Sequence, residues 1–583
     1  MKAPSVFVIA PTALALWAVG LLGTAAAQKG SELWAPSHHA AAPAPESYRA
    51  AAEAPSLSNH PRLAPYLARA MDSLASPSAQ APSPSGPIPT GFTAWWDEQA
   101  LRPTQAASLT VGIDELTHSA LLHSPNVRAL SAKPQIRDTY WAEENAAFDW
   151  RTFFETGYDD FNDPVGNRLT TGNNDDRFKD KKWHAHGGLR KTNQLGGEVE
   201  LGQRLGAQRN NSRYLEPNPQ GTSRLELNYT HPLLNGSGRF YNRSQIVLAS
   251  LDSRLARDQL AAALQDHLLQ VTVAYWDLYR ARSRQTQRLV LYHAADNIYQ
   301  SLVARQEVDS LARQVLRARS AVAGRRSEIV RASTQIENAE AQLRLLVNDP
   351  LLKQADELIP LLSPPTTWVD ISMSDCLTTA LVNRPDIAQA VRTLEVTSLR
   401  LGVARNELLP KLDLLMSTYV AGLERQSRVF SAWDNQFSDG RPGFSVGLLW
   451  EYPSGNRAAQ AREQRRRWEL QQASSEFENT VETSLTEVEI AVREVETTYA
   501  EMLSRYQAML TASEETLFLS DRFKLLPGQH DSATLLLEDL LDSQERQADE
   551  EASFVDAQVN YSLSLIRLRR AMGTLLIASD QPG

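Results

Sequence analysis

The sequence predicts an α+β chain of very long antiparallel α-helices joined to a small set of amphipathic β-strands, and the whole pattern occurs twice. Three observations carry that prediction. The stretch ELTHSALLHSPNV (115–127) aligns with DCLTTALVNRPDI (375–387), pairing Ala120 with Ala380, Leu121 with Leu381 and Pro125 with Pro385. An internal repeat governs the fold more strongly than any local signal. Each half then carries one helical pattern of great length, a sharp break and a shorter return: Pro232 to Val308 is 76 residues, and Pro453 to Gly528 is 75. About 70 helical residues rising 1.5 Å each make a rod of roughly 105 Å, which only a coiled-coil-like bundle can support. The third observation is a group of short segments that alternate apolar and polar residues with period two.

In chain order, Lys2, the apolar run Val6–Leu22 and Ala25-Ala26-Ala27 before Gln28 read as a signal peptide over 1–27, with an uncleaved anchor as the alternative. No cysteine follows it to carry a lipid. Residues 28–107 are rich in Ala, Pro and Ser and read as a tether, with Trp95-Trp96 expected to dock on something. The first repeat occupies 108–350, a connector 351–373, the second repeat 374–577 and a short tail 578–583. Leu251, Leu255, Leu260, Leu264, Leu268 and Val271 on one long helix, and Leu485, Val488, Val492, Val495 and Tyr499 on the other, keep helical spacing.

Four segments alternate strictly. Phe148, Trp150, Thr152, Phe154, Thr156 and Tyr158 oppose Asp149, Arg151 and Glu155. Leu225, Leu227 and Tyr229 oppose Arg224, Glu226, Asn228 and Thr230. Leu412, Leu414, Met416, Thr418 and Val420 oppose Lys411, Asp413, Ser417 and Tyr419. Phe444, Val446, Leu448, Trp450 and Tyr452 oppose Ser445, Gly447 and Glu451. One apolar and one charged face, with aromatics toward the ends, fits a barrel wall between lipid and water, and a soluble half-buried sheet alternates in the same way. Four strands cannot close a wide barrel, so several chains are expected to contribute, because an open edge in lipid strands backbone groups without partners. Pro125 to Pro232 is 107 residues, whereas Pro385 to Pro453 is 68. The 39 additional residues of the first half fall in the Gly/Asn/Asp-rich stretch 159–221, expected to project outside the cell. That stretch also holds a candidate hairpin (185–206, turning near Gly196-Gly197), whose alternation of Val199, Leu201 and Leu205 leaves two additional wall strands open.

Several function classes are excluded or weakened. A net charge of −10 lacks the basic stripe that nucleic acid needs. The lone Cys376 rules out an intrachain disulfide and a cysteine zinc site. Gly443-Phe444-Ser445-Val446-Gly447 matches the G-x-S-x-G nucleophile elbow, but the elbow turns sharply into a helix after its serine, and here the alternation runs on. No catalytic residue, metal ligand or cofactor-binding residue is assigned. The pairs His184/His186 and His38-His39 lack further ligands, and Arg465-Arg466-Arg467 reads equally as a lipid-phosphate contact or a solvated face.

The order of ALVNRPDIAQA, GVARNELLPKLDLLMSTY, YTHPLLNG, VAYWDLYRAR and DLLDSQERQADEEASFVDAQVNYSLSLIRLRRAMG resembles the TolC family of outer-membrane efflux and secretion ducts over roughly 108–577. The resemblance implies a homotrimer in which each chain gives four strands to a twelve-stranded outer-membrane barrel, above a helical tunnel through the periplasm. It implies a passive duct, not an enzyme, fed by an inner-membrane pump through a periplasmic adaptor. The family closes its tunnel with acidic residues in a D-V-L-D-like pattern. The matching text is Leu537-Glu538-Asp539-Leu540-Leu541-Asp542, so Asp539 and Asp542, at i and i+3 on one helix face, carry over as the periplasmic gate. The turns at Val308-Asp309 and Pro527-Gly528 become the helix tips for adaptor docking. The tip LLPGQHDSATLLLED is longer than usual for the family, and Leu525 stands where its tyrosine does.

Overall fold

The computed structural model describes residues 61–72, 88–89, 91–103, 107–167, 169–305, 312–438, 441–525 and 531–577. The signal, the His38-His39 pair, the tips Val308, Asp309, Pro527 and Gly528, and the tail lie outside these residues. The repeat is visible in the backbone. Helices α3 (Ile113–His123) and α4 (Pro125–Asn145) meet at Ser124, and α9 (Met373–Asn383) and α10 (Pro385–Asn406) meet at Arg384. Ser124 (φ −65, ψ 124) and Arg384 (φ −70, ψ 125) are both extended, because a following proline disfavours the helical region and then opens the next helix with its preset φ.

The long helices are α6 (Ser244–Ala304, 61 residues) and α12 (Arg457–Leu525, 69 residues). At 1.5 Å per residue they measure about 92 Å and about 104 Å. Their partners return as α7 (Ala312–Val347) and α13 (Asp531–Ala571). On α12 the buried residues Val481, Val488, Val495, Met502 and Met509 recur every seven positions, interleaved with Leu485, Val492 and Tyr506. A seven-residue repeat keeps one seam facing its partner and imposes left-handed supercoiling. The seam meets Phe554, Val555, Val559 and Tyr561 of α13 in the main core. A parallel pair, β1 (Ser108–Val111) with β6 (Glu357–Pro360), ties the start of the first repeat to the connector.

The tether is docked where it is described. Helix α1 (Ala64–Asp72) and the short α2 (Asp97–Ala100) lie against the bundle. Trp96 is 1% exposed, and Phe92 stands edge-on between Tyr506 and Phe554. Tyr279 donates to Asp97 Oδ1 at 2.5 Å, and the buried Arg282 donates to the carbonyls of Ala100 and Arg102 and to Glu357 Oε1. Arg282 sits seven residues beyond Tyr275 in the α6 seam, so a charge in a core position stitches three chain segments together.

The main sheet departs from the expected four strands. It has six, in the order β2 (Arg151–Pro164), β3 (Arg177–Thr192), β4 (Glu198–Asn210), β5 (Gln220–Pro232), β7 (Lys411–Arg425) and β8 (Gly443–Glu451), all antiparallel. The stretch 159–221 is therefore not an extracellular projection alone: it supplies the hairpin β3–β4, inserted between β2 and β5. Polarity and glycine content suggested loops, but a wall strand is half polar by construction. Phe148 belongs to a 3-10 turn (Ala146–Phe148) rather than to β2.

One buried pair in the helical layer makes stability depend on pH. Asp258 of α6 and Arg392 of α10 are 6% and 8% exposed, with Nε 3.9 Å from Oδ2 and neither atom hydrogen-bonded. Burial pushes the Asp258 carboxyl up to about 6, against the pull of Arg392 and Arg257. A raised carboxyl contributes stability that is full below its ordinary pKa near 4 and lost as pH rises through about 6. The melting temperature of Asp258→Asn in detergent is thus expected to gain on that of the parent between pH 4 and pH 7, by at most about 3 kcal/mol of relative stability. A difference that stays constant over that range would remove this account of the pair.

Candidate channel wall and periplasmic constriction

Because successive side chains of a strand point to opposite faces, the register assigns every wall residue. One face carries Phe154, Tyr158, Trp183, Leu189, Leu201, Leu205, Leu225, Leu227, Met416, Val420, Phe444, Val446, Leu448 and Trp450. It is uncovered over much of its area, with Phe444 at 83% and Phe154 at 74% exposure. Contiguous apolar surface of this extent calls for a partner. The ends of this face are marked on β2 and β3. Lys191 Nζ lies 5.2 Å from the centre of the Trp150 ring at the end nearer the helices, and Lys181 pairs with Asp160 at 3.3 Å at the other. Ten residues separate Trp150 from Asp160, about 33 Å along a strand. At the tilt of a membrane barrel that is a band about 25 Å tall, the thickness of a hydrocarbon core. Among the described residues no helix is long and apolar enough to cross a membrane.

Helix α11 (Val429–Ser438) lies on the same face, over β5 and β7. Small residues admit it: a Cβ at Gly422 would collide with the carbonyl of Ala432, and Ser223 lies within hydrogen-bond reach of Gln436 at 3.0 Å. Its aromatic side chains Phe430, Trp433 and Phe437 are exposed.

The opposite face is charged and internally paired. Arg190 pairs with Glu200 at 2.5 Å, Arg204 with Glu226 at 2.8 Å and Arg224 with Glu226 at 3.5 Å, while the Arg224 guanidinium sits 3.7 Å from the centre of the Tyr419 ring. His184 lies 3.6 Å from Asp159, and His186 lies 3.6 Å from Glu226. His186, Glu200 and Glu226 gather ligand-type atoms within 4.8 Å of one another, a constellation that sequence spacing hid because it spans three strands. Arginines already engage both carboxylates, so the arrangement is a charge network rather than a vacant cation site. Ser445 belongs to this polar face, its hydroxyl 3.0 Å from that of Ser417, and β8 continues six residues beyond it, so there is no elbow. Arg465, Arg466 and Arg467 pair along their own helix with Glu469 and Glu463.

At the other end of α13, Leu537, Leu540 and Leu541 are buried while Asp539 and Asp542 are exposed on one helix face, with no ion pair to either among the described residues. Sequence reasoning missed what holds this turn. Arg325 of α7 is 5% exposed and donates to the carbonyls of Leu291 (3.1 Å) and Leu541 (3.0 Å) and to Gln544 Oε1 (3.0 Å). Burial lowers its pKa, against the pull of Glu545, Glu328 and Asp542. The signal was present: Ala318, Arg325, Ala332 and Ala339 recur every seven residues, and one charge in an alanine stripe marks a core arginine. Arg325 ties three helices together directly beside the acidic turn.

No family model matches the chain, and no curated protein is similar to it in sequence. Solved structures are similar. The outer membrane protein VceC of Vibrio cholerae aligns at 17% identity over 79% of this chain and 96% of its own, with a TM-score of 0.56. The CmeC outer membrane channel of Campylobacter jejuni gives 14%, 80%, 87% and 0.56, and the MtrE outer membrane channel of Neisseria gonorrhoeae, in its open state, 16%, 83%, 96% and 0.56. The chain has the TolC family fold. The sheet joins the helices at four junctions, 146–150, 233–243, 407–410 and 452–456. One such junction is held by Asn406, which accepts from the Gly236 N–H at 2.8 Å, and by Asn456, which donates to the Leu408 carbonyl at 3.1 Å.

The two faces are tested by arginine. Leu448→Arg places a charge on the apolar face, at a cost of roughly 2–4 kcal/mol per copy near mid-membrane, whereas Ser445→Arg adds to a face that is already charged. The yield of folded, heat-modifiable protein on unheated gels is expected to collapse for the first and persist for the second. Equal yields would overturn the assignment of faces.

Proposed function

We propose that three copies of this chain form an exit duct in the outer membrane, continued by a helical tunnel through the periplasm, and that the duct conducts passively. The observation that carries this reading is the apolar band about 25 Å tall, backed across the same strands by a charged face. Arg190, Glu200, Arg204 and Glu226 are compatible with water and incompatible with lipid, so a closed wall of this sheet encloses a polar passage. The signal peptide read from residues 1–27 and the likeness in fold to outer membrane channels support the same location. Energy then comes from an inner-membrane pump acting through a periplasmic adaptor, in an efflux or type I secretion assembly, with the adaptor docking around Val308-Asp309 and Pro527-Gly528. Single-channel recording of the purified protein in a planar bilayer tests the duct directly. Ion conductance is expected, and a membrane-inserted protein that never conducts would leave only an envelope-spanning strut.

Within this reading, Asp539 and Asp542 form the periplasmic gate. Threefold symmetry turns the two exposed acids into two rings of three carboxylates close to the axis. A narrow passage with low-dielectric walls focuses such a field and draws in cations. Asp539→Asn combined with Asp542→Asn keeps the shape and removes the charge. Cation selectivity is expected to fall, and block by multivalent cations added on the periplasmic side to weaken tenfold or more, about 1.4 kcal/mol. Unchanged selectivity and block in the double variant would reduce both residues to a solvated acidic face.

A further inference from the structure

The six-stranded sheet ends at β2 and β8, whose outer edges have no strand partner among the described residues. We propose that each edge is taken by another copy of this chain, β8 of one copy on β2 of the next, and that three copies close an eighteen-stranded wall. The proposal rests on the trimeric duct above and changes its dimensions.

Direction permits this closure. Strand β2 leaves the helical layer and β8 returns to it, so with six strands per chain the seam is antiparallel like every other pair in the sheet. An open edge is not tolerated in hydrocarbon, where no water satisfies its N–H and C=O groups, so closure is required and a second copy offers the matching edge.

The hairpin β3–β4 has to be counted as wall. It stands between β2 and β5, paired to β2 from Arg177 to Arg190 and to β5 from Glu198 to Gln208, so removing it would divide the sheet in two. Its apolar residues keep the phase of their neighbours: Trp183 is opposite Tyr158, and Leu201 is opposite both Leu189 and Leu227. It also spans the full band, from the Lys191–Trp150 contact to the Lys181–Asp160 pair. Its turn rests at the foot of the wall, where the Gly238 N–H donates to the Leu195 carbonyl at 3.2 Å. Gly196 there has φ +93, and a Cβ would fall 2.6 Å from the Gly236 carbonyl oxygen, so glycine is demanded twice over. A loop projecting outside the cell would show none of these features.

With strands about 4.8 Å apart and tilted about 40°, eighteen of them make a backbone cylinder about 36 Å across, against about 24 Å for twelve. Barrels of sixteen to eighteen strands leave an aqueous channel. The outer mouth then passes solutes that a twelve-stranded mouth excludes, and the selection of cargo shifts to the helical end.

Cys376 is 7% exposed and burial pushes its thiol up to about 11, so it stays silent toward maleimides at neutral pH. Lys182→Cys, His184→Cys, Leu201→Cys and Leu205→Cys would each be reconstituted as the full chain in lipid vesicles and treated with a water-soluble maleimide. The first two are expected to label at least tenfold faster than the last two, and native mass measurement to count three copies. Similar rates at all four positions would place the hairpin in water and overturn the proposal. So would an assembly of two copies, which closes with twelve strands. The four positions are separate, so loss of one variant leaves the comparison intact. If alternation and three copies hold while the protein conducts no ions, the wall stands and the duct reading fails.

Discussion

One constraint governs the sheet: a face carrying Arg190, Glu200, Arg204 and Glu226 cannot meet hydrocarbon, and a face carrying Phe154, Leu201, Leu448 and Trp450 is poorly placed in water. Burying a charge without water or a partner costs far more than any single contact returns. A wall that curves so that the two faces see different solvents would satisfy both demands. The β3–β4 hairpin keeps that division in phase between β2 and β5.

The helical layer obeys a different rule. Its seams are ordinary seven-residue repeats, which build length without choosing where one helix pair should hold another. That choice falls to a few charges placed inside the seams. Arg282 joins the docked tether and the connector to α6, and Arg325 joins α7 and α6 to the acidic turn of α13. Each donates to backbone carbonyls, so each reports the position of a chain rather than the identity of a side chain. A buried arginine that loses such partners is costly to keep, so these sites resist small displacements and concentrate any larger one into a discrete rearrangement.

Much of this was legible in the chain. The duplicated helix starts, Pro125 and Pro385, the rods of α6 and α12, and the alternation in four of the six strands can be read from spacing, because helices and strands have fixed periods that hydrophobic residues must follow. The strands β3 and β4 were harder. Gly187 dilutes their apolar face and Gly188, Gly202 and Gly206 their polar one, and the surrounding Asn and Asp residues resemble loop composition.

What the sequence determined alone is therefore local and periodic: where helices begin, how long they run, and which residues of a strand share a face. Tertiary structure decided what depends on contacts between distant segments. It placed the β3–β4 hairpin inside the sheet rather than beyond it, gathered His186, Glu200 and Glu226 across three strands, brought Trp96 down onto Phe554, and set Arg325 against the Leu541 carbonyl. The physical reason is that period constrains a side chain's direction, whereas register and docking are fixed by which backbone edges and carbonyls find partners, and nothing in the spacing of residues along one strand names the strand beside it.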